Sequence, residues 1–251
     1  MFSANAVTRD FSRAASTYDA HGALQQQALA ECARLLAPHV AKDAAVLDAG
    51  CGTGRLMEQG VNWRITGVDL APGMCASAHA RGMRVCAGDI AALPFPGAQF
   101  SGVLCSLVLQ WLNAPAQALS ELHRVCTGGA SAALCVFEEG TLHELKAVAG
   151  KETRVSPFFT QGAIERMAQE AGWQVMQTHS RRVVEYYADA RALFQRLKAI
   201  GATNKLAHRP RGLATPAWLA RVDAHYRDAF GIDGVLPASW QLHFLLLQKV
   251  I

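Results

Sequence analysis

The chain has 251 residues, of which 51% are hydrophobic and 18% charged, and its formal net charge at pH 7 is +4. A chain of this length and composition can bury a sizeable core, which excludes a disordered protein and predicts one domain over residues 1–251. The charge is too small to indicate nucleic acid, and the longest apolar run, ASAALCVF (130–137), is too short to span a bilayer. We therefore expect neither nucleic acid nor a membrane as a partner.

The seven cysteines are scattered through the chain and form neither a CxxC pair nor a zinc-ligand spacing with histidine. This pattern predicts no metal site. Several of the cysteines lie in strand-like runs, where cysteine packs as a small apolar residue in a reducing compartment. The first residues, MFSANAVTRDFSRAAST, lack the apolar run of a secretory signal. These features predict a cytoplasmic protein.

Helices and strands alternate through the first half of the predicted structure. A helical N-terminal segment (1–40) comes first, and later helices are expected after Gly54, from Pro72 and over 114–125. The predicted strands are 44–49, 63–69, 83–89, 100–111 and 130–137, the last preceded by a turn at Gly128 and Gly129. Strands separated by helices imply crossover connections and a mostly parallel sheet covered on both faces.

The last part of the chain has a different pattern. Two long strand-like runs, WQVMQTHSRRVVEYY (173–187) and SWQLHFLLLQKVI (239–251), are typical of strands that pair antiparallel at a sheet edge. Residues 188–236 between them are mostly helical and basic, and they predict a cap inserted before the last strand. The predicted fold is α/β and doubly wound, Rossmann-like, with a mostly parallel seven-stranded sheet and an antiparallel last strand.

The stretch VLDAGCGTG (46–54) reads as a buried strand that runs into a tight glycine turn. Dinucleotide sites need GxGxxG, but Arg55 stands in the place of the last glycine, and no GK[ST] follows for a P-loop. Asp48 ends the strand, where it would repel a pyrophosphate and would suit a ligand that carries an ammonium group. The turn therefore favours a ligand without phosphates.

Two further carboxylates end the next two strands. Asp69 follows Asp48 by 21 residues, and a carboxylate at that place can accept hydrogen bonds from both hydroxyls of a ribose. Asp89 ends the third strand and can accept from the exocyclic amine of an adenine. An amino acid, a ribose and an adenine without phosphates predict S-adenosylmethionine as the cofactor. The alternative is that each aspartate only caps a helix or a turn.

The motifs VLDAGCGTG, GVDLAPGM and AGDIAALPF resemble the three cofactor motifs of the class I methyltransferases, over roughly residues 46–137. The resemblance implies S-adenosylmethionine as cofactor and S-adenosylhomocysteine as product. We expect two residues of the N-terminal segment, Tyr18 and His21, to close over the methionine end. The other cofactor contacts expected are Asp48, Gly50, Cys51, Gly52, Asp69, Leu70, Met74, Asp89, Ile90 and Ser106, with Cys51 a packed residue rather than a nucleophile.

Four flanking stretches resemble one subgroup, the malonyl-acyl-carrier-protein O-methyltransferases of biotin synthesis. They are FSRAASTYDAHGALQQ (11–26), SLVLQW (106–111), FEEGTLHEL (137–145) and LKAIGATN (197–204). The subgroup's turn is usually Pro-Gly-Gly, and Thr127 replaces the proline here. The resemblance implies methyl transfer to the free carboxylate of a malonyl thioester, carried by acyl carrier protein or by coenzyme A.

This reaction needs no general base, because a malonyl carboxyl with a pKa of about 4 or below is already ionised at neutral pH. The chain shows no convincing Ser/His/Asp set, and we assign none. The substrate does need a cation, and residues 181–212 hold eight basic residues against two acidic ones. That excess also suits an acidic carrier protein, although a solvated basic face is an alternative. The substrate-positioning residues expected are Gln110, Trp111, Arg196, Lys198 and Arg211.

Three other functions remain open from the sequence. A class I methyltransferase could act on another small acceptor, such as a quinone precursor, but C-methylation would need a base. A non-catalytic scaffold or sensor could keep cofactor binding without turnover. A dinucleotide oxidoreductase is the weakest alternative, because Asp48 and Arg55 do not suit a pyrophosphate.

Overall fold

The computed structural model describes residues 4–150, 158–200 and 215–250. One sheet contains the strands β1 Ala45–Ala49, β2 Arg64–Asp69, β3 Arg84–Ala87, β4 Phe100–Ser106, β5 Cys126–Phe137, β6 Trp173–Tyr187 and β7 Leu236–Lys249. The α-helices are α1 Ala4–His21, α2 Ala23–Leu36, α3 Pro72–Ala80, α4 Pro115–Val125, α5 His143–Ala149, α6 Ala163–Glu170, α7 Ala190–Ala199 and α8 Pro216–Phe230. Short 3-10 turns cover Ala37–His39, Arg55–Glu58 and Leu109–Trp111. No helix in these ranges combines the length and apolarity needed to cross a bilayer.

The sheet confirms the predicted topology. Its strands lie in the order β3-β2-β1-β4-β5-β7-β6, and β7 pairs antiparallel with both of its neighbours. The pairs among β1 to β5 are parallel. The last strand is therefore the antiparallel one, inserted between β5 and the edge strand β6. The fourth strand is shorter than predicted, because the chain leaves the sheet after Ser106 and forms the 3-10 turn at Leu109–Trp111.

The prediction of a turn at Gly128 and Gly129 is wrong. Both glycines lie inside β5, which begins directly after α4. The β4–β5 register shifts there, since Phe100 pairs with Cys126 but Gly102 pairs with Ser131. The extra residues of β5 interrupt the regular pairing, and among them Gly129 has a positive φ of 77°. A glycine pair can mark a bulge or a turn, and only the pairing distinguishes them.

Helices cover both faces of the sheet and produce two cores. The α4 and α6 side buries residues such as Leu122, Ile164 and Leu247, while the α2, α5, α7 and α8 side buries Leu36, Trp240 and others. The parallel strands β1, β2 and β4 all end at one edge of the sheet. That edge therefore collects the residues that the sequence places at strand ends.

The helices α7 and α8 belong to the predicted cap, residues 188–236. Asp189 starts α7 by accepting from Ala192 N at 2.7 Å, and Thr215 starts α8 by accepting from Trp218 N at 3.1 Å. Residues 201–214 of the cap, including Arg211, lie outside the described residues.

Candidate active site

A tight glycine turn follows β1 and is pinned to β2. Gly50 has a φ of +78°, and a Cβ at this position would stand 2.3 Å from Val108 Cγ2, so only glycine fits. The amides of Gly50 and Cys51 both donate to Val68 O, at 2.7 and 3.0 Å. The turn thus presents its backbone to the carboxyl edge of the sheet.

Asp69 fixes the same turn from the end of β2. Its Oδ2 accepts from Gly52 N at 2.9 Å, and its Oδ1 accepts from Ala71 N at 2.8 Å. Burial raises the pKa of this carboxyl, and the two N–H donors oppose that rise. Each carboxylate oxygen keeps a further acceptor site for the hydroxyls of a ribose.

Asp48 is buried at the end of β1, and its Oδ2 has no hydrogen-bond partner among the described residues. Burial, with the charge of Asp69 adding to it, raises the pKa of Asp48 to about 7. Two nearby oxygens, Gln25 Oε1 and Ser106 Oγ, also lack partners there. Since unpartnered buried acceptors are costly, this end of the site fits an ammonium group, as the predicted cofactor requires.

Two open cavities meet at the glycine turn, with volumes of about 90 and 50 Å³. Tyr18, Gly50, Gly52 and Ser106 line both of them. The predicted residues that line only the larger cavity are Asp69, Leu70, Met74, Asp89, Ile90 and Trp111. Those that line only the smaller cavity are Asp48 and Cys51.

Four predicted residues lie elsewhere in the described structure. His21 is exposed at the end of α1 and lines neither cavity. Gln110 is buried in its 3-10 turn, also away from the cavity walls, with both side-chain amide atoms unpartnered. Arg196 and Lys198 belong to α7, where Lys198 is exposed and Arg196 is largely covered.

One face of α1 forms a wall of the larger cavity. Val7, Phe11 and Tyr18 all line it, at spacings of four and seven residues that repeat on one side of a helix. The ring of Phe11 packs edge-on against Trp111, with centroids 5.7 Å apart. Sequence reasoning missed Phe11, although the helical spacing from Tyr18 could have indicated it.

A charged cluster ties α1 to the glycine turn. Asp19 accepts from Thr53 Oγ1 at 2.7 Å and forms an ion pair with Arg81. Arg81 also donates to Thr53 O and, at 3.0 Å, to Glu58 Oε1. The cluster holds the N-terminal helix against the glycine turn. No local pattern in the sequence predicts these contacts.

Two further acid–base groups of the site, Tyr18 and Cys51, have raised pKa values. Burial, and secondarily the charge of Asp69, raises the pKa of Tyr18 well above its usual value, so Tyr18 remains a neutral phenol. Burial likewise raises the pKa of the Cys51 thiol. Both groups are therefore protonated at neutral pH. The described residues also contain no group of three His, Cys, Asp or Glu side chains placed to hold a metal ion.

Arg196 points its guanidinium beneath the cap rather than into solvent, with 12% of its side chain exposed. Its Nη2 lies 3.5 Å from Glu185 Oε1, and its Nη1 has no partner among the described residues. It is close enough to Tyr18 to lower the pKa of that phenol, against the larger effect of burial. A cation with a spare donor therefore lies within electrostatic reach of Tyr18, which lines both cavities.

The exposed side of α7 carries different cations. Arg191 and Lys198 are exposed there, and neither has a partner in the described part of the chain. Helix α7 is joined to α1 by a hydrogen bond from Thr17 Oγ1 to Ala199 O at 3.0 Å. The outer face of α7 thus presents positive charge next to the helix that walls the site.

A family model described as "Methyltransferase domain" matches residues 47–134. The malonyl-[acyl-carrier protein] O-methyltransferase of Herminiimonas arsenicoxydans is 36% identical, over 97% of this chain and 95% of that protein. The biotin biosynthesis bifunctional protein BioHC of Teredinibacter turnerae is 30% identical over 97% of this chain and 46% of its own length. A crystal structure from Bacillus halodurans C-125 shares the fold with a TM-score of 0.65 and 18% identity, over 90% of this chain and 100% of that one.

Proposed function

The chain belongs to the malonyl-[acyl-carrier protein] O-methyltransferase family, and from this premise we propose that it methylates the free carboxylate of a malonyl thioester carried by acyl carrier protein. The products would be the malonyl methyl ester, a starter for biotin synthesis, and S-adenosylhomocysteine. One observation supports this proposal above the others. Unpartnered acceptors lie beside the glycine turn, and an unpartnered guanidinium donor, that of Arg196, lies on α7, the helix hydrogen-bonded to α1. That pattern complements an ammonium on the cofactor and a carboxylate on the acceptor.

The residues present fit S-adenosylmethionine at the glycine turn. We propose that Asp48 and Ser106 receive its ammonium, that Asp69 receives its ribose hydroxyls, and that Asp89, Ile90, Leu70 and Met74 surround its adenine. Gly50, Gly52 and Cys51 line the turn beneath it, and Tyr18 covers it. When bound, the cofactor would supply a methyl group on a sulfonium sulfur. A carboxylate oxygen could bond to that methyl carbon as the carbon–sulfur bond breaks and the thioether leaves, with no base required.

The chain's own contribution would be orientation and exclusion of water. Trp111 and Phe11 wall the larger cavity, and Gln110 lies in the adjoining turn. Arg196 would pair with the malonyl carboxylate through its free nitrogen. Holding two reacting groups in line can contribute on the order of 7–11 kcal/mol. Apolar walls also favour a reaction in which a positive and a negative charge neutralise each other, since separated charges are poorly solvated there.

The test is methyl transfer to three acceptors: malonyl carrier protein, malonyl coenzyme A and a quinone precursor. We expect transfer to the malonyl thioesters and none to the quinone precursor. Arg196→Gln should raise KM for malonyl coenzyme A about a hundredfold, corresponding to a loss of roughly 3 kcal/mol for one partner of a buried charge pair. Cofactor binding without turnover on any acceptor would support a scaffold instead, and transfer to the quinone precursor alone would overturn the proposed acceptor.

We propose that the exposed face of α7 docks the acidic carrier protein, with Arg191 and Lys198 as contacts. Reversing both charges, Arg191→Glu with Lys198→Glu, should raise KM for malonyl carrier protein about tenfold at low salt, an effect that screening by 1 M salt removes. Malonyl coenzyme A should be used as before. The matched control is Lys42→Glu with Arg84→Glu, two exposed cations, one just before β1 and one on β3. Equal losses in both double variants would refute docking at α7.

We also propose a cytoplasmic location. All seven cysteines are unpaired thiols in the structure, and the buried ones pack in the core. Free thiols in these numbers suit a reducing compartment.

A further inference from the structure

The partner of Arg196 has a geometry of its own. Glu185 lies near the end of β6 and directs one carboxylate oxygen at Arg196 and the other at Tyr187, whose hydroxyl donates to Glu185 Oε2 at 2.7 Å. Glu185 and Tyr187 are two residues apart on a strand, so their side chains share one face of the sheet. The three side chains form a chain of contacts from Tyr187 through Glu185 to Arg196.

The hydroxyl of Tyr187 keeps its proton. Burial, reinforced by the hydrogen bond to Glu185 and by the charge of Glu185, raises the pKa of Tyr187 well above its usual value. It therefore remains a donor across the physiological range. This donor holds one oxygen of Glu185 away from Arg196.

The ion pair itself is loose. At 3.5 Å the contact between Arg196 and Glu185 is longer than a charge-assisted hydrogen bond, which is typically 2.7–2.9 Å. The contact uses Nη2 and leaves Nη1 with no partner among the described residues. A short, two-pronged pair would instead occupy both terminal nitrogens and would leave no donor for a second carboxylate.

We infer that Glu185 and Tyr187 are positioning residues, which hold Arg196 beneath the cap with one guanidinium nitrogen presented to the substrate carboxylate. This inference rests on the proposed function. An arginine side chain has several rotatable bonds and is drawn to water, so a single anchored orientation needs a partner behind it. Glu185 supplies that partner, and Tyr187 keeps Glu185 from closing on the arginine with both oxygens.

Four variants test the inference. Glu185→Ala removes the anchor, and KM for malonyl coenzyme A should rise about tenfold, as for the loss of one charge-assisted contact, with a smaller change in kcat. Glu185→Gln keeps the length and an acceptor oxygen, and it should return KM to within about threefold of the wild-type value. Tyr187→Phe frees the second oxygen and should raise KM severalfold. Glu121→Ala, which breaks the 2.6 Å pair with Arg124 on the opposite face of the sheet, is the matched control and should leave KM unchanged.

Direct binding separates positioning from general damage to the fold. In calorimetric titrations of the S-adenosylhomocysteine complex, Glu185→Ala should weaken malonyl coenzyme A by the same factor as it raises KM. Its affinity for S-adenosylhomocysteine should stay at the wild-type value. If Glu185→Ala does not fold, Tyr187→Phe carries the test by itself.

The failures are distinguishable. If the wild-type protein does not methylate malonyl thioesters, the proposed function fails. If it does, and Arg196→Gln raises KM while Glu185→Ala and Tyr187→Phe do not, only the positioning role is refuted. A parallel loss of affinity for S-adenosylhomocysteine and malonyl coenzyme A in Glu185→Ala would also refute it, because it would show a structural defect.

Discussion

The cofactor end and the cap end of this protein leave opposite kinds of buried atoms unsatisfied. Beside the glycine turn, Asp48 Oδ2 and Gln25 Oε1 are acceptors without partners among the described residues. Beneath the cap, Arg196 Nη1 and Trp240 Nε1 are donors without partners in the same ranges. Trp240 on β7 pairs with Val183 on β6, and Val183 is two residues from Glu185, the partner of Arg196. Both donors therefore belong to one region.

This difference matches the charges that we propose for the ligand at each end. A buried polar atom without a hydrogen-bond partner is destabilising unless a ligand supplies the bond. Whether the missing partner is a donor or an acceptor therefore indicates the kind of ligand group. Missing donors at the first end suit an ammonium, and missing acceptors at the second suit a carboxylate. The two ends are also anchored differently: backbone amides fix Asp69, whereas side chains from β6 fix Arg196.

The largest expected effect comes from alanine substitutions at two glycines. Comparing them distinguishes loss of space for the cofactor from strain in the backbone. Gly52 and Gly60 have positive φ angles of 53° and 66°, and a Cβ at either would meet no protein atom within 4 Å. Alanine at each should cost about 1 kcal/mol of stability through the left-handed conformation. Only Gly52→Ala should also weaken S-adenosylmethionine, by about a hundredfold or more, because Gly52 lines both cavities and Gly60 lines neither. Equal affinities in the two variants, measured by calorimetry, would contradict this assignment.

A smaller loss is expected where one charged acceptor is removed. Asp69→Ala should weaken S-adenosylmethionine about tenfold to a hundredfold, since a charge-assisted hydrogen bond is worth roughly 1.5–3 kcal/mol. Asp89→Ala, at the exposed rim of the same cavity, should have a smaller effect. KM for the malonyl thioester at saturating cofactor should not change in either variant. A folded Asp69→Ala protein with wild-type affinity for S-adenosylmethionine would refute the assignment of Asp69 to the ribose hydroxyls.

The raised pKa of Asp48 makes cofactor affinity depend on pH. Because an ammonium prefers the ionised carboxylate, affinity should rise up to tenfold per unit as pH increases towards about 7 and level off above it. Asp48→Asn should bind weakly and lose this dependence. With cofactor saturating, single-turnover rates of the wild-type protein should stay flat between about pH 6 and 8, because the pre-ionised carboxylate needs no base.

Stability should move in the opposite direction for the same residue. The pKa of Asp48 is about 7 in the folded protein against 3.8 for an ordinary aspartate, so its favourable contribution is complete below the lower value. That contribution is lost as pH rises through about 7. Without cofactor, Asp48→Asn should therefore melt above the wild-type protein at pH 8 and close to it near pH 4. A variant less stable than wild type at pH 8 would show that Asp48 has a partner in the folded protein.

The smallest expected effect concerns the cluster that ties α1 to the glycine turn. Arg81→Gln should weaken S-adenosylmethionine severalfold by loosening Asp19 and α1, with no effect on KM for the malonyl thioester at saturating cofactor. A double-mutant cycle with Asp19→Asn should give a coupling energy of about 1 kcal/mol, as for partly exposed charge pairs. Additive losses in the cycle would mean that the two residues act separately.

The sequence by itself determined the sheet and the cofactor edge. The sequence pattern predicted a mostly parallel seven-stranded sheet with an antiparallel last strand, whereas the order of the strands came only from the structure. Strand β6 begins and ends where the sequence pattern does. Asp48 and Asp69 could be placed because both lie at the carboxyl ends of parallel strands, which meet at one edge of the sheet. The glycine turn could be placed because positive φ angles are a local requirement of the backbone. These signals lie within a few consecutive residues.

Only the tertiary structure decided which side chains work together. Arg196 and Lys198 stand two residues apart on one helix, yet the first is covered and the second exposed, because two helical positions lie on nearly opposite faces. Gln25 is the first of three consecutive glutamines, and the sequence does not show that it lines the smaller cavity. Nor does the sequence show that His21 is exposed to solvent. Asp19 meets Arg81 across 62 positions of the chain. Such pairs depend on how elements pack, and local sequence does not encode that packing.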